Sequence, residues 1–240
     1  MSTSMNVILP EYIPGDESKY PVLFLLHGMS DDQNAWCRFT SIERYARERG
    51  IAVVMPTTAL GWYTDMYYGY DYFTFISSEL PKICRSFFPR MSDKREDTYV
   101  AGLSMGGRGA CVYAFNHPEK FAAAAILSAA PRDFDALEEL EPKMYQRTMQ
   151  SVRNYGSVEA YKASYEYTWR IFQEKAHTGE LPRLYFSIGM DDPLYPSYCH
   201  FKEVAEKVGL EATYEEIPGY RHEWRFWDLG IQKALAFFGL

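Results

Sequence analysis

A chain of 240 residues, 47% apolar and 17% aromatic, has the material for one buried core and is too apolar to be disordered. A formal charge of −7 with no basic cluster argues against nucleic acid as a partner, and no apolar run approaches the ~20 residues needed to span a bilayer. The expectation is a single soluble domain over residues 1–240 with no membrane association.

Residues 1–10 lack the basic start, sustained apolar segment and cleavage site of a secretory signal, so the expected compartment is the cytoplasm. Beyond them, strand-like apolar runs at 5–9, 21–26, 51–55, 98–101, 123–127, 183–188 and 213–217 alternate with amphipathic helical stretches at 35–49, 72–87, 105–117, 198–208 and 224–238. That alternation predicts an α/β fold with a mostly parallel sheet covered on both faces. Pro81 should kink or split the second helix. Two stretches depart from the pattern. Residues 61–73 are too aromatic for a simple loop and are expected to line a pocket, while 135–180 form a long insertion read as a helical cap. Cys37, Cys84, Cys111 and Cys199 have neither metal-ligand nor disulfide-scaffold spacing and are expected to be reduced.

The chemistry concentrates at Val100-Ala101-Gly102-Leu103-Ser104-Met105-Gly106-Gly107, a G-x-S-x-G frame between a strand and a small-residue helix. Glycine at 102 and 106 lets the chain turn sharply, which exposes the Ser104 hydroxyl, and the helix that follows aims its N-terminal amides at a developing oxyanion. A serine nucleophile needs a base and a carboxylate to orient that base. In this architecture the chain order is serine, acid, histidine. Of five histidines, His27 precedes the serine, His117 ends a helix, His177 lies in the insertion and His200 begins a surface-type helix, which leaves His222, in a glycine-containing loop before the last helix. Asp191 and Asp192 both follow the strand at 183–188 and are not separable by position, whereas Asp228 falls after the histidine. The second oxyanion donor besides the Met105 amide is expected at Met29, after Leu25-Leu26-His27-Gly28.

These residues resemble the esterase D-like branch of the α/β-hydrolases, most nearly the tributyrin esterases and the bacterial feruloyl (cinnamoyl) esterases. The likeness runs along nearly the whole chain. It is carried by Leu25-Leu26-His27-Gly28 with Asn34-Ala35-Trp36, by Tyr63-Thr64-Asp65-Met66, by Tyr72-Phe73-Thr74 with Glu79-Leu80-Pro81, by Lys94-Arg95-Glu96-Asp97 running into the serine motif, and by His222-Glu223-Trp224 with Phe226-Trp227-Asp228. The resemblance implies Ser104 as nucleophile, His222 as base and Asp192 as acid, the last because the family's acid ends a G-x-x-D pattern, here Gly189-Met190-Asp191-Asp192. It maps the oxyanion amides to Met29 and Met105. Two departures stand out. The chain begins almost on its first strand, which leaves a sheet edge for another element or a partner subunit to protect, and Arg108 places a charge where the family has an aromatic or small residue.

The expected function is hydrolysis of small-molecule short-chain acyl esters, without metal or cofactor. Feruloyl esters come second and an S-formylglutathione-type thioester third. Trp62, Tyr63, Tyr67 and Trp169 are the aromatic candidates for substrate contact. A non-catalytic binding protein on the same fold is the alternative of a different class.

Overall fold

A computed structural model describes residues 3–11 and 14–240. The part of the N-terminal reading that falls on residues 1 and 2 lies outside them. All seven expected strands form one sheet: β1 (Met5–Ile8), β2 (Val22–Leu26), β3 (Ala52–Pro56), β4 (Thr98–Leu103), β5 (Ala123–Leu127), β6 (Arg183–Gly189) and β7 (Thr213–Ile217), in the order β1-β3-β2-β4-β5-β6-β7. Only β1 runs antiparallel to its neighbour.

Strands β2 to β5 are buried along their whole length, which is why they read as continuous apolar runs. Side chains alternate between the faces with period two. Leu23, Leu25, Val53 and Ala101 join Trp36, Phe226 and Ile231 on one side. Phe24, Leu26, Val54 and Val100 join Cys111, Tyr113 and Phe115 on the other.

The helices are α1 (Ala35–Phe39), α2 (Ile42–Arg49), α3 (Tyr72–Thr74), α4 (Leu80–Phe87), α5 (Met105–Asn116), α6 (Leu137–Leu140), α7 (Pro142–Tyr155), α8 (Val158–Ala163), α9 (Thr168–Lys175), α10 (Tyr195–Lys207) and α11 (Trp224–Phe238). Three differ from expectation for local reasons. The stretch 35–49 breaks at Thr40, whose hydroxyl donates to the Trp36 carbonyl and accepts from the Ile42 amide, satisfying locally groups a continuous helix would use. Pro81 does not break its helix, because a π-helical segment, Phe75–Glu79, joins α3 to α4. The Ser77 carbonyl, which an ordinary residue 81 would have bonded, accepts from Lys120 Nζ at 2.9 Å instead. Helix α10 starts three residues early because Pro196 is tolerated in a first turn.

Helices α6 to α9 make up the insertion between β5 and β6. No helix among the described residues is long and apolar enough to cross a membrane. The strand order decides where a site can form. Strand β3 lies on one side of β2 while β4 and β5 lie on the other, so the connections diverge at the carboxyl ends of β2 and β4. Such a switch point is where open α/β sheets bind ligands.

Candidate active site

Ser104 sits at that switch point, between the last residue of β4 and the first of α5, with φ 52° and ψ −115°. A non-glycine residue there is strained by roughly 1–3 kcal/mol, and close packing on all sides holds it. A Cβ on Gly102 would lie 2.3 Å from the Gly106 carbonyl oxygen, and one on Gly106 would lie 2.4 Å from that of Leu26. The two glycines therefore let the start of α5 press against the end of β2. The Ser104 amide donates to the Leu127 carbonyl at 2.8 Å, and the residue stays partly exposed.

His222 and Asp192 arrive from the far half of the sheet. His222 lies on the loop between β7 and α11, and its Nε2 is 2.9 Å from Ser104 Oγ. Its Nδ1 is 2.8 Å from Asp192 Oδ2. The Asp192 side chain is fully buried, and its other oxygen accepts from the Leu194 amide at 2.9 Å, which fixes the carboxylate plane. The two loops are tied by the Asp191 amide donating to the Tyr220 carbonyl at 3.0 Å. Asp191 itself is exposed, so burial and hydrogen bonding separate the two neighbouring acids. Trp227 meets the His222 ring edge-on, 5.0 Å between centroids, and its Nε1 donates to Ser128 Oγ.

The loop after β2 holds its backbone in a fixed orientation. Leu26 pairs with Gly102 across the β2–β4 ladder, so residues 27–29 and 103–105 leave the sheet side by side. His27 is buried; its Nε2 accepts from the Thr58 amide at 3.1 Å, which leaves the proton on Nδ1, 2.7 Å from the Gly28 carbonyl. The same carbonyl accepts from the Asp31 amide. In a trans peptide the C=O and the following N–H point in opposite directions. Holding the Gly28 carbonyl toward His27 therefore turns the Met29 amide away from it. Among the described residues neither the Met29 nor the Met105 amide donates to a backbone carbonyl in the surrounding turns.

A family model named Esterase, with the description "Putative esterase", matches residues 1–238. The chain belongs to the esterase family. An acetyl esterase of Caldicellulosiruptor saccharolyticus is 27% identical over 97% of this chain and 91% of its own. Among solved structures, the fluorophosphonate-binding serine hydrolase FphF of Staphylococcus aureus superposes with a TM-score of 0.83 at 30% identity, covering 98% of this chain and 91% of that one. The S-formylglutathione hydrolase FrmB of the same organism gives 0.82 at 30% identity, covering 98% and 92%. The fold is that of the α/β-hydrolase esterases.

In this esterase two of the aromatic substrate-contact candidates are displaced from the expected role. Tyr63 is fully buried, with its hydroxyl donating to the His27 carbonyl at 2.9 Å and its ring against Gly109, so it is a strut beneath the loop carrying Met29. Trp169 is 8% exposed and stacks on His200 with centroids 5.2 Å apart, with Phe172 and Phe201 at its edges, so it belongs to the core. Both are large apolar rings on amphipathic segments, and periodicity does not distinguish a pocket wall from a core residue. Trp62 does line a cavity, and Tyr67 is exposed. Trp62 and Tyr63 both have positive φ, 52° and 61°, a second strained point beside the serine.

Of the residues that hold the esterase's loops, the sequence marks only Arg108 as out of pattern, and Glu166, Tyr155 and Arg147 carry no mark. Arg108, one helical turn after Ser104, is ion-paired at 2.8 Å with the fully buried Glu166 of the insertion and donates to the Trp62 carbonyl at 3.0 Å. Glu166 also accepts from Tyr155 at 3.1 Å. A charge in the first turns of an otherwise small, apolar helix was the available signal. From α7, the Arg147 guanidinium contacts Met29 Sδ, which brings the insertion over the β2 loop.

Proposed function

We propose that this chain is a serine carboxylesterase acting on short-chain acyl esters, with Ser104 as nucleophile, His222 as general base and Asp192 as its orienting carboxylate. The observation that carries the reading is the continuous hydrogen-bonded line from Asp192 through His222 to Ser104, at 2.8 and 2.9 Å, around a serine held in a strained turn. His222 Nε2 takes the hydroxyl proton as Ser104 Oγ attacks the ester carbonyl, and the Asp192 carboxylate stabilises the imidazolium. The Met29 and Met105 amides stabilise the oxyanion, in keeping with their freedom from other backbone partners. The tetrahedral intermediate collapses to the acyl-enzyme as His222 protonates the departing alcohol. Water, activated by the same histidine, then releases the acid and restores Ser104. No cofactor is part of this scheme. Helices α6 to α9 act as the cap, supported by the Arg147 contact to the loop after β2 and the Glu166 ion pair to Arg108 of α5.

One feature supports a short acyl group. The relative from Caldicellulosiruptor saccharolyticus is an acetyl esterase. A thioester of the S-formylglutathione type is the second reading, favoured by the 30% identity to FrmB. A feruloyl ester has less support, since the Tyr63 and Trp169 rings are buried and unavailable for stacking. Four free thiols fit a reducing compartment, the cytoplasm.

The test is labelling with a fluorophosphonate probe, followed by turnover of p-nitrophenyl acetate and butyrate, in wild type, Ser104→Ala and His222→Ala. Labelling that requires Ser104, with turnover falling by about four orders of magnitude in both variants, is the expected result. A folded wild-type protein that neither labels nor turns over these esters would overturn it.

A further inference from the structure

The cavity bounded by Trp62, Arg108 and the start of the insertion stands out by its charge. Three arginines line it, Arg108 from the nucleophile helix, Arg132 from the segment after β5, and Arg147 from α7, and no acidic side chain does. The molecule as a whole is anionic, at −7, so this is a local reversal of sign.

The three guanidinium groups are not equally committed. Arg108 is held by Glu166 and the Trp62 carbonyl. Arg132 spends only Nε, on Glu141 at 3.2 and 3.3 Å, and among the described residues both its Nη groups lack a protein acceptor. Its side chain is 16% exposed, and Glu141 opposite is nearly buried, so the guanidinium is fixed on one side and open on the other. Arg147 has no carboxylate partner among the described residues; its contact is the Met29 thioether, a weak acceptor. The buried glutamates offset two of the positive charges and leave the third uncompensated. Forked donors of this kind match a carboxylate in geometry and bond it more strongly than a neutral acceptor.

The position sets which ligand this is. Arg108 is one turn from Ser104, and Arg147 touches the residue whose amide faces the oxyanion. We propose that the cavity binds a carboxylate carried by the ester substrate itself, a few atoms from the scissile carbonyl, between Arg132 and Arg147. The preferred substrates are then half-esters of small dicarboxylic acids or esters of small hydroxy acids. This rests on the esterase reading, because the ester must reach Ser104.

The test measures kcat/KM in a pH-stat for two matched pairs: monomethyl glutarate against methyl valerate, with the charge on the acyl side, and 4-acetoxybutyrate against butyl acetate, with the charge on the alcohol side. A preference for the charged member of about 10- to 100-fold in one pair is expected. That ratio should collapse toward unity in both Arg132→Met and Arg147→Met, survive in part in Arg147→Lys, and shrink with added salt. The pair that shows it identifies the side of the ester the cavity reads. In parallel, calorimetry follows glutarate binding to wild type and the two methionine variants. Neutral esters turned over as fast as charged ones would overturn the proposal while leaving the esterase reading intact. If no ester is hydrolysed the esterase reading fails, and glutarate binding that needs Arg132 and Arg147 would still support the anion site, whereas its absence would overturn that too.

Discussion

At the residue scale the decisive environments are those of Asp192 and His27. Asp191 and Asp192 are adjacent and chemically identical, yet one is exposed and the other buried against His222, so the backbone turn alone separates their environments. His27 is buried with its proton on Nδ1, and burial holds its pKa below the ordinary histidine value. His27→Ala frees the Gly28 carbonyl and with it the aim of the Met29 amide. We expect kcat to fall about 10- to 100-fold with KM little changed, read from steady-state turnover of p-nitrophenyl acetate. The same burial has a pH consequence. Below about 6.5 the unfolded chain protonates this imidazole while the folded protein does not, so the unfolded state takes up more protons and stability falls with pH. The His27 contribution is fully present above that pH and is lost as pH falls toward the folded-state value. Melting temperatures of wild type and His27→Gln between pH 7.5 and 5 check this, the variant showing the shallower decline.

At the element scale, helix α5 and the insertion are joined by a buried ion pair. Arg108 and Glu166 are 13% and 0% exposed at the side chain, so removing one partner leaves a charge with little solvent to turn to. Glu166→Ala should cost about 3–5 kcal/mol, while the double replacement Arg108→Met with Glu166→Met should restore most of that loss. Urea unfolding of the two variants decides it, and equal losses in both would show that the pair acts through packing alone. The π-helical segment ahead of Pro81 carries a related lesson. Proline predicts a break from local chemistry, but here a widened turn and the Lys120 bond to the Ser77 carbonyl accommodate it. No residue pattern near Pro81 announces a lysine that lies 39 positions along the chain.

At the scale of the whole molecule, the sheet ends in two different edges. Strand β1 is short and antiparallel, while β7 carries Glu215 and Glu216, each paired with a lysine, Lys233 and Lys202. Charged side chains on an edge discourage pairing with another sheet. Replacing Glu215 and Glu216 together by valine should raise aggregation on heating, followed by light scattering, at temperatures where the parent chain stays clear.

The sequence alone determined the elements and the order of the chemistry. The central apolar runs became strands β2 to β5 because a parallel sheet buried on both faces demands continuous apolar residues, and Ser104 and His222 stood out because glycine-bounded turns after strands are local features. What only the tertiary structure decided were the contacts between distant segments. The burial of Asp192 against His222, the strut role of Tyr63, the core position of Trp169 and the convergence of Arg108, Arg132 and Arg147 on one cavity all depend on which surfaces the fold brings together. Periodicity says that a side chain faces inward, and the packing of other elements against it settles whether it meets core, loop or cavity.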